Sequence, residues 1–191
     1  MNTRVSPTTD LDKARHDLDV VGYCIVEGVA PDDLVVRTRE RILEQASAER
    51  DAGRAFVQDG NTQWIANVLN KGAEFLELLT CSATSLELCR HVLGQGFILS
   101  CSNAPIAGPA TGANRTQDEY RIGVTNNLVA PMIRPLVNYP YSLREEVVDS
   151  LDEQQKQLLG VTTWTAHGNE GVPTQELKYF KPAIDQLGTM R

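Results

Sequence analysis

The stretch best equipped for chemistry is Ala110-Thr-Gly-Ala-Asn-Arg-Thr-Gln-Asp-Glu-Tyr-Arg121. It reads as a Gly/Asn turn, a polar loop and then a buried strand over residues 121–129. A hydroxyl at the turn, Thr111, and a guanidinium at the strand mouth, Arg121, together make a carboxylate clamp. Arg stays charged and grips a carboxylate through a planar fork, and a hydroxyl donates one further hydrogen bond. The same residues would also serve as a solvated loop with a surface Arg, so residue types alone leave both readings open.

The elements that must position this stretch follow from capping and periodicity. Thr8-Thr9-Asp10 supplies N-caps for a helix to about Val20, with Leu11, Ala14, Leu18 and Val21 on one face and Gly22 ending it. Residues 23–26 are a short apolar strand candidate. Pro31 with Asp32 and Asp33 opens a second helix carrying Leu34, Val35, Thr38, Ile42 and Ala46 at helical spacing. Residues 53–60 read as a loop and residues 63–69 as a strand bearing Asn67. Residues 75–79 and 82–93 form two short helices, the second stopped by Gly94. Residues 97–102 are a strong strand. Residues 131–140 form an extended, proline-ruled segment that includes Arg134 and Asn138. Ser142 to Glu145 and Ser150 to Glu153 both have capping-box spacing. Residues 172–191 read as a flexible polar tail. No repeat or linker divides the chain, so residues 1–191 are expected to form one domain.

Thr111-Gly112-Ala113-Asn114-Arg115-Thr116, with Arg121 shortly after, resembles the C-terminal motif of the phytanoyl-CoA dioxygenase family of iron(II)/2-oxoglutarate-dependent oxygenases. The order of helix, Gly22-Tyr-Cys-Ile-Val-Glu-Gly-Val29 and Pro-started helix resembles the N-terminal part of the same family. The resemblance covers residues 10–160. It implies an α+β fold: a double-stranded β-helix (jelly-roll, cupin-like) core with flanking N-terminal helices. It implies Fe(II) as the metal and 2-oxoglutarate as co-substrate, with Thr111 and Arg121 holding the distal carboxylate. It also implies O2 and a small-molecule metabolite or natural product as reactants. The substrate would be hydroxylated or desaturated as 2-oxoglutarate is decarboxylated to succinate. In the family, a strand near residues 63–69 lines the mouth of the active site, which puts Asn67 against substrate or co-substrate. Arg134 would cover a substrate pocket. An ordinary strand Asn and a packing role for the 131–140 segment are the competing readings.

The chain departs from the family pattern where the metal should sit. The family's metal-binding His, two residues before the Thr, falls on Pro109, which has no donor. The Thr-to-Arg spacing is also one residue longer. A facial triad needs His-x-Asp/Glu plus a distant His. None of His16, His91 and His167 stands in that pattern, and none is expected to be a ligand. The resemblance before Pro109 and after Ala110 is to widely separated parts of the core. A block on the order of 60–90 residues, about five strands with their loops, is therefore expected to be missing between them, leaving the core incomplete. The alternative is a truncated, non-catalytic relative acting as a binding or interaction module. Its strands at 97–102 and 121–129 would then expose apolar edges and favour a homodimer. A third reading is an unrelated α+β small-molecule binder in which the motif is accidental.

Composition sets the outer limits. The chain has 191 residues, 41% hydrophobic and 23% charged, as in globular domains with a real core. A net charge of −7 and no basic stripe argue against a nucleic-acid or anionic-membrane partner. No apolar run reaches the roughly 20 residues of a membrane helix, and the N-terminus lacks the apolar core of a signal peptide. Cys24, Cys81, Cys89 and Cys101 contain no Cys-x-x-Cys pair and read as reduced, mostly buried thiols of a cytoplasmic protein.

Overall fold

Asp10 accepts hydrogen bonds from the Asp12 and Lys13 amides and starts α1, Leu11–Val21. The computed structural model describes residues 5–58, 61–109, 114 and 119–161. Gly22 ends α1 at φ 88°, a left-handed conformation that costs little only for glycine. α2, Asp32–Asp51, starts after Pro31 and buries Leu34, Thr38, Ile42 and Ala46, one residue per turn along a single stripe. Val35 falls off that stripe and is 50% exposed. Residues 23–26 do not become a strand. They make one parallel bridge, Thr8 to Val26. Pro7 has no N–H to extend the pairing, and the N-terminal segment turns into α1 three residues later.

Five strands form one antiparallel sheet: β1 Phe56–Gln58, β2 Thr62–Ala66, β3 Ile98–Ala107, β4 Arg121–Ile122 and β5 Thr125–Val129. β1 pairs with β2, β2 with β3, and β3 with both β4 and β5. One register runs from Ala107–Arg121 through to Cys101–Asn127, and the Gly123 amide donates to the Pro105 carbonyl at 3.1 Å between β4 and β5. The single buried strand expected over 121–129 is corrected: it is split at Gly123–Val124 into β4 and β5, and none of its residues is fully buried, because it lies at the edge of the sheet. The register shifts between Leu99 and Cys101, leaving Ser100 without a cross-strand partner. Its carbonyl accepts from the Val137 amide at 2.9 Å and its hydroxyl from the Leu136 amide at 3.1 Å, which ties the proline-ruled segment to β3.

Several boundaries differ from those read in the sequence. The 53–60 loop contains β1. The strand expected at 63–69 ends at Ala66, after which Asn67 turns into a 3-10 helix, Val68–Asn70. Strand 97–102 extends to Ala107. It is not an exposed edge, because β2 and β5 flank it. Among the described residues the outer edges are β1 and β4–β5. The helices at 75–79 and 82–93 appear as α3, Ala73–Thr80, and α4, Ala83–Leu93. The capping box at 142–145 does not form: Ser142 closes α5, Tyr139–Ser142, and α6, Glu145–Asp149, has no side-chain cap. The second box lies two residues later, with Asp152 and Gln155 capping each other at the start of α7, Glu153–Leu158. The tail at 172–191 lies outside the described residues.

The sheet has two unlike faces. Gln63 and Ile65 of β2 point to the helices, since Ile65 joins Ile42 and Ala46 in the core. Gln63 donates to the Ala46 carbonyl at 3.1 Å and accepts from Arg50 at 2.5 Å. Strand alternation and register carry this face to Ala104 and Ile106 and on to Ile122 and Val124, all in the same core. Ser102, fully buried, meets Asn126 there through a 2.7 Å hydrogen bond. The opposite face carries Trp64, Cys101, Asn103, Arg121, Thr125 and Asn127. The chain is therefore an α+β structure: helices, the N-terminal α2 among them, pack on one side of an antiparallel sheet. No helix among the described residues is long and apolar enough to cross a membrane.

Candidate functional site

The open face of the sheet gathers the polar groups that the helices do not use. Arg121 begins β4 opposite Ala107 and is exposed at the end of the sheet. Beyond the end of β3, the Gly108 amide donates to the Asn61 carbonyl at 2.9 Å. A side chain at Gly108 would meet the Asn61 side-chain amide, which would have to turn away. Asn114 anchors the connection from β3 to β4. It is 4% exposed, and its amide donates to the Ala107 carbonyl at 3.2 Å and the Glu119 carbonyl at 2.5 Å. In the sequence Asn114 was only one member of the turn motif. Its role is to clamp the base of the loop that leads into Arg121. Thr111 lies outside the described residues.

Asn67 is the one described non-glycine residue at positive φ, 49°. Its backbone amide donates to Asn103 Oδ1 at 3.3 Å, while its own Oδ1 is buried with no hydrogen-bond partner among the described residues. Asn67 is thus a turn residue after β2, not the strand residue expected. Asn103 in turn approaches Cys101 Sγ at 3.7 Å, and Asn127 donates to that sulfur at 3.0 Å. Asn103 pairs with Thr125, four residues along the strand from Arg121. At about 3.4 Å per residue, the Asn67 cluster and Arg121 share one side of the sheet but stand roughly 14 Å apart.

Arg134 does not join them. It lines a cleft of about 260 Å³ with Ile98, at the end of β3 opposite Ala107. Nine strand steps place that cleft about 30 Å from Arg121. His91 pairs with Asp19 at 2.8 Å, tying α4 to α1, His16 is exposed on α1, and His167 lies outside the described residues. All four cysteines are free, but only Cys101 is buried and Cys81 is exposed, so the expectation of mostly buried thiols is corrected. Burial pushes the Cys24, Cys81 and Cys89 thiols above their ordinary value, which makes them poor nucleophiles.

The described residues bring no three His, Cys, Asp or Glu side chains together as a metal would need. The open face offers amides, one thiol and Arg121, a set suited to hydrogen bonding and carboxylate binding. No family model matches the chain, and no curated protein matches it.

Proposed function

We propose that this chain is the scaffold of an iron(II)/2-oxoglutarate-dependent dioxygenase of the phytanoyl-CoA dioxygenase type, acting on a small metabolite or natural product in the cytoplasm. The observation that carries the reading is the two-faced sheet: helices cover one side, and Arg121 stands at the end of the other. In this reading the sheet is one half of a jelly-roll, the open face is the active-site face, and the second half comes from a block between Pro109 and Ala110. Arg121, with Thr111, holds the distal carboxylate of 2-oxoglutarate, and Asn114 keeps the loop between them in place. The co-substrate, when bound, supplies the two electrons that reduce O2 alongside those of the substrate. The residues described do not fit an iron site, and Pro109 has no donor, so no step is derived through the metal. Asn67 and Asn103 lie on the side where substrate would enter. Arg134, at the far end of the sheet, is set aside as a substrate contact of this site.

A second reading rests on the exposed edge of β1. Phe56 and Val57 are 61% and 51% exposed on a strand with one partner among those described. As a non-catalytic relative, the chain would pair through that edge with a second copy or another strand. The intact mass of the protein from its natural source separates the two. A mass higher than 21.0 kDa by roughly 7–10 kDa, the weight of the expected block, supports the oxygenase. A mass of 21.0 kDa overturns it.

A further inference from the structure

The cleft at the N-terminal end of β3 lies between the proline-ruled segment and the end of α7. Its walls are apolar, built from Ile98, Pro131, Pro135 and Leu159, and its polar groups are Arg134 and Asn138. Arg134 is exposed and, like Arg39 and Arg54, has no carboxylate partner among the described residues, but of these it alone lines the cleft. The Asn138 side chain is likewise unused: its backbone carbonyl receives the Tyr141 and Ser142 amides, but its amide group makes no described hydrogen bond. The segment is held from behind through Ser100, so the cleft wall is anchored to the sheet. Val137 and Tyr139 of the segment pack on the core, whereas Met132 and Leu136 are 87% and 82% exposed.

A permanent cation and an amide at the rim of an apolar cleft match one ligand chemistry: a monocarboxylic acid with a short hydrocarbon body. The size agrees. At about 260 Å³ the cleft falls just below the size of pockets that hold drug-sized ligands, as suits a smaller molecule. We propose that this cleft binds a short-chain organic acid, its carboxylate on Arg134 and Asn138 and its alkyl body against Ile98, Pro131, Pro135 and Leu159. The site is separate from Arg121 and does not depend on the oxygenase reading: Ile98 falls on the same face of the sheet, but nine strand steps away from Arg121.

Hexanoate is the probe, titrated into the full chain while the methyl signals of Ile98 and Leu159 are followed by NMR. Saturable shifts at both methyls are expected, with Arg134→Gln weakening binding at least about fivefold, the loss of one charge-assisted contact. Asn138→Ala weakens it by a smaller factor. Hexan-1-ol, which keeps the body and lacks the charge, binds wild type and Arg134→Gln alike. Arg134 is exposed, so its replacement leaves the fold intact as a control. The proposal is overturned if hexanoate at about 10 mM, enough to fill a 1 mM site, leaves these methyls unmoved. It is equally overturned if Arg134→Gln binds hexanoate as tightly as wild type, or if the shifts fall around Arg121 instead.

Discussion

Tyr139 is 1% exposed, and its hydroxyl has no hydrogen-bond partner of normal geometry among the described residues. Burial pushes that hydroxyl well above its ordinary value of 10.0. The Cys101 thiol adds to the rise and the Ser102 backbone opposes it weakly. Replacing Tyr139 by Phe keeps the ring and its core contacts and removes the unpaired oxygen. An unsatisfied buried hydroxyl costs about 1–3 kcal/mol, and the small void left behind costs a few tenths of a kcal/mol in return, at about 24 cal/mol per Å³. Tyr139→Phe should therefore stabilise the protein by about 1 kcal/mol at pH 7, or about 2–4 °C in Tm. The alkaline limb changes as well. With the folded pKa raised, the folded state holds a proton that the unfolded state releases as pH climbs past 10. Wild-type stability is then fully present below that pH and falls as pH rises, by about 1.4 kcal/mol per pH unit from this residue. The other tyrosines and the cysteines titrate in both proteins, so the difference between wild type and variant isolates Tyr139. Urea denaturation at pH 7 and pH 11 is the assay. A variant less stable than wild type at pH 7, or one with an unchanged alkaline loss, refutes the account of a neutral, unpaired hydroxyl in the core.

Three further outcomes follow from individual contacts. Ile65→Ala empties a fully buried position between α2 and β3 and should cost about 2–5 kcal/mol in a urea melt. Asn114→Ala removes both hydrogen bonds at the base of the β3–β4 connection. It should cost about 1–3 kcal/mol and speed hydrogen exchange at Arg121 and Ile122 before it affects α1 or α2. Gly22→Ala places a side chain where nothing lies within 4 Å, so its cost, about 1 kcal/mol by thermal melt, comes from the left-handed backbone alone.

Where local chemistry decides the structure, the sequence was readable. Asp10 and Gly22 bound α1, Pro31 and its acids open α2, and residues 121–127 keep one register across the break at Gly123–Val124. Where pairing decides, the reading failed. Residues 23–26 are as apolar as a strand, yet Tyr23 and Ile25 stay 46% and 42% exposed because, among the described residues, the backbone paired with them is the short segment before α1. β1 is exposed along its whole length and shows no burial alternation. The Asp59-Gly60 dipeptide that follows it in the sequence was the available hairpin signal. The capping boxes matched in spacing, but Ser142 was already committed to α5. At the candidate site, Arg121 could be placed from the sequence. Asn67 and Arg134 could not be assigned to opposite parts of the sheet, because that depends on how β2 ends and on the Ser100 bulge that captures the 131–140 segment.

Trp64 stands half-buried on the open face, two strand spacings across from Arg121 and two residues along. With Trp164→Phe it becomes the sole tryptophan and reports directly on that face. The decisive measurement is its fluorescence during a titration with 2-oxoglutarate in the presence of Mn(II), in this background with and without Arg121→Ala. The account predicts a saturable change that Arg121→Ala shifts to at least about tenfold higher concentration, as loss of a bidentate carboxylate contact should. An unchanged signal, or the same curve in both proteins, would contradict the assignment of the open face as the co-substrate site.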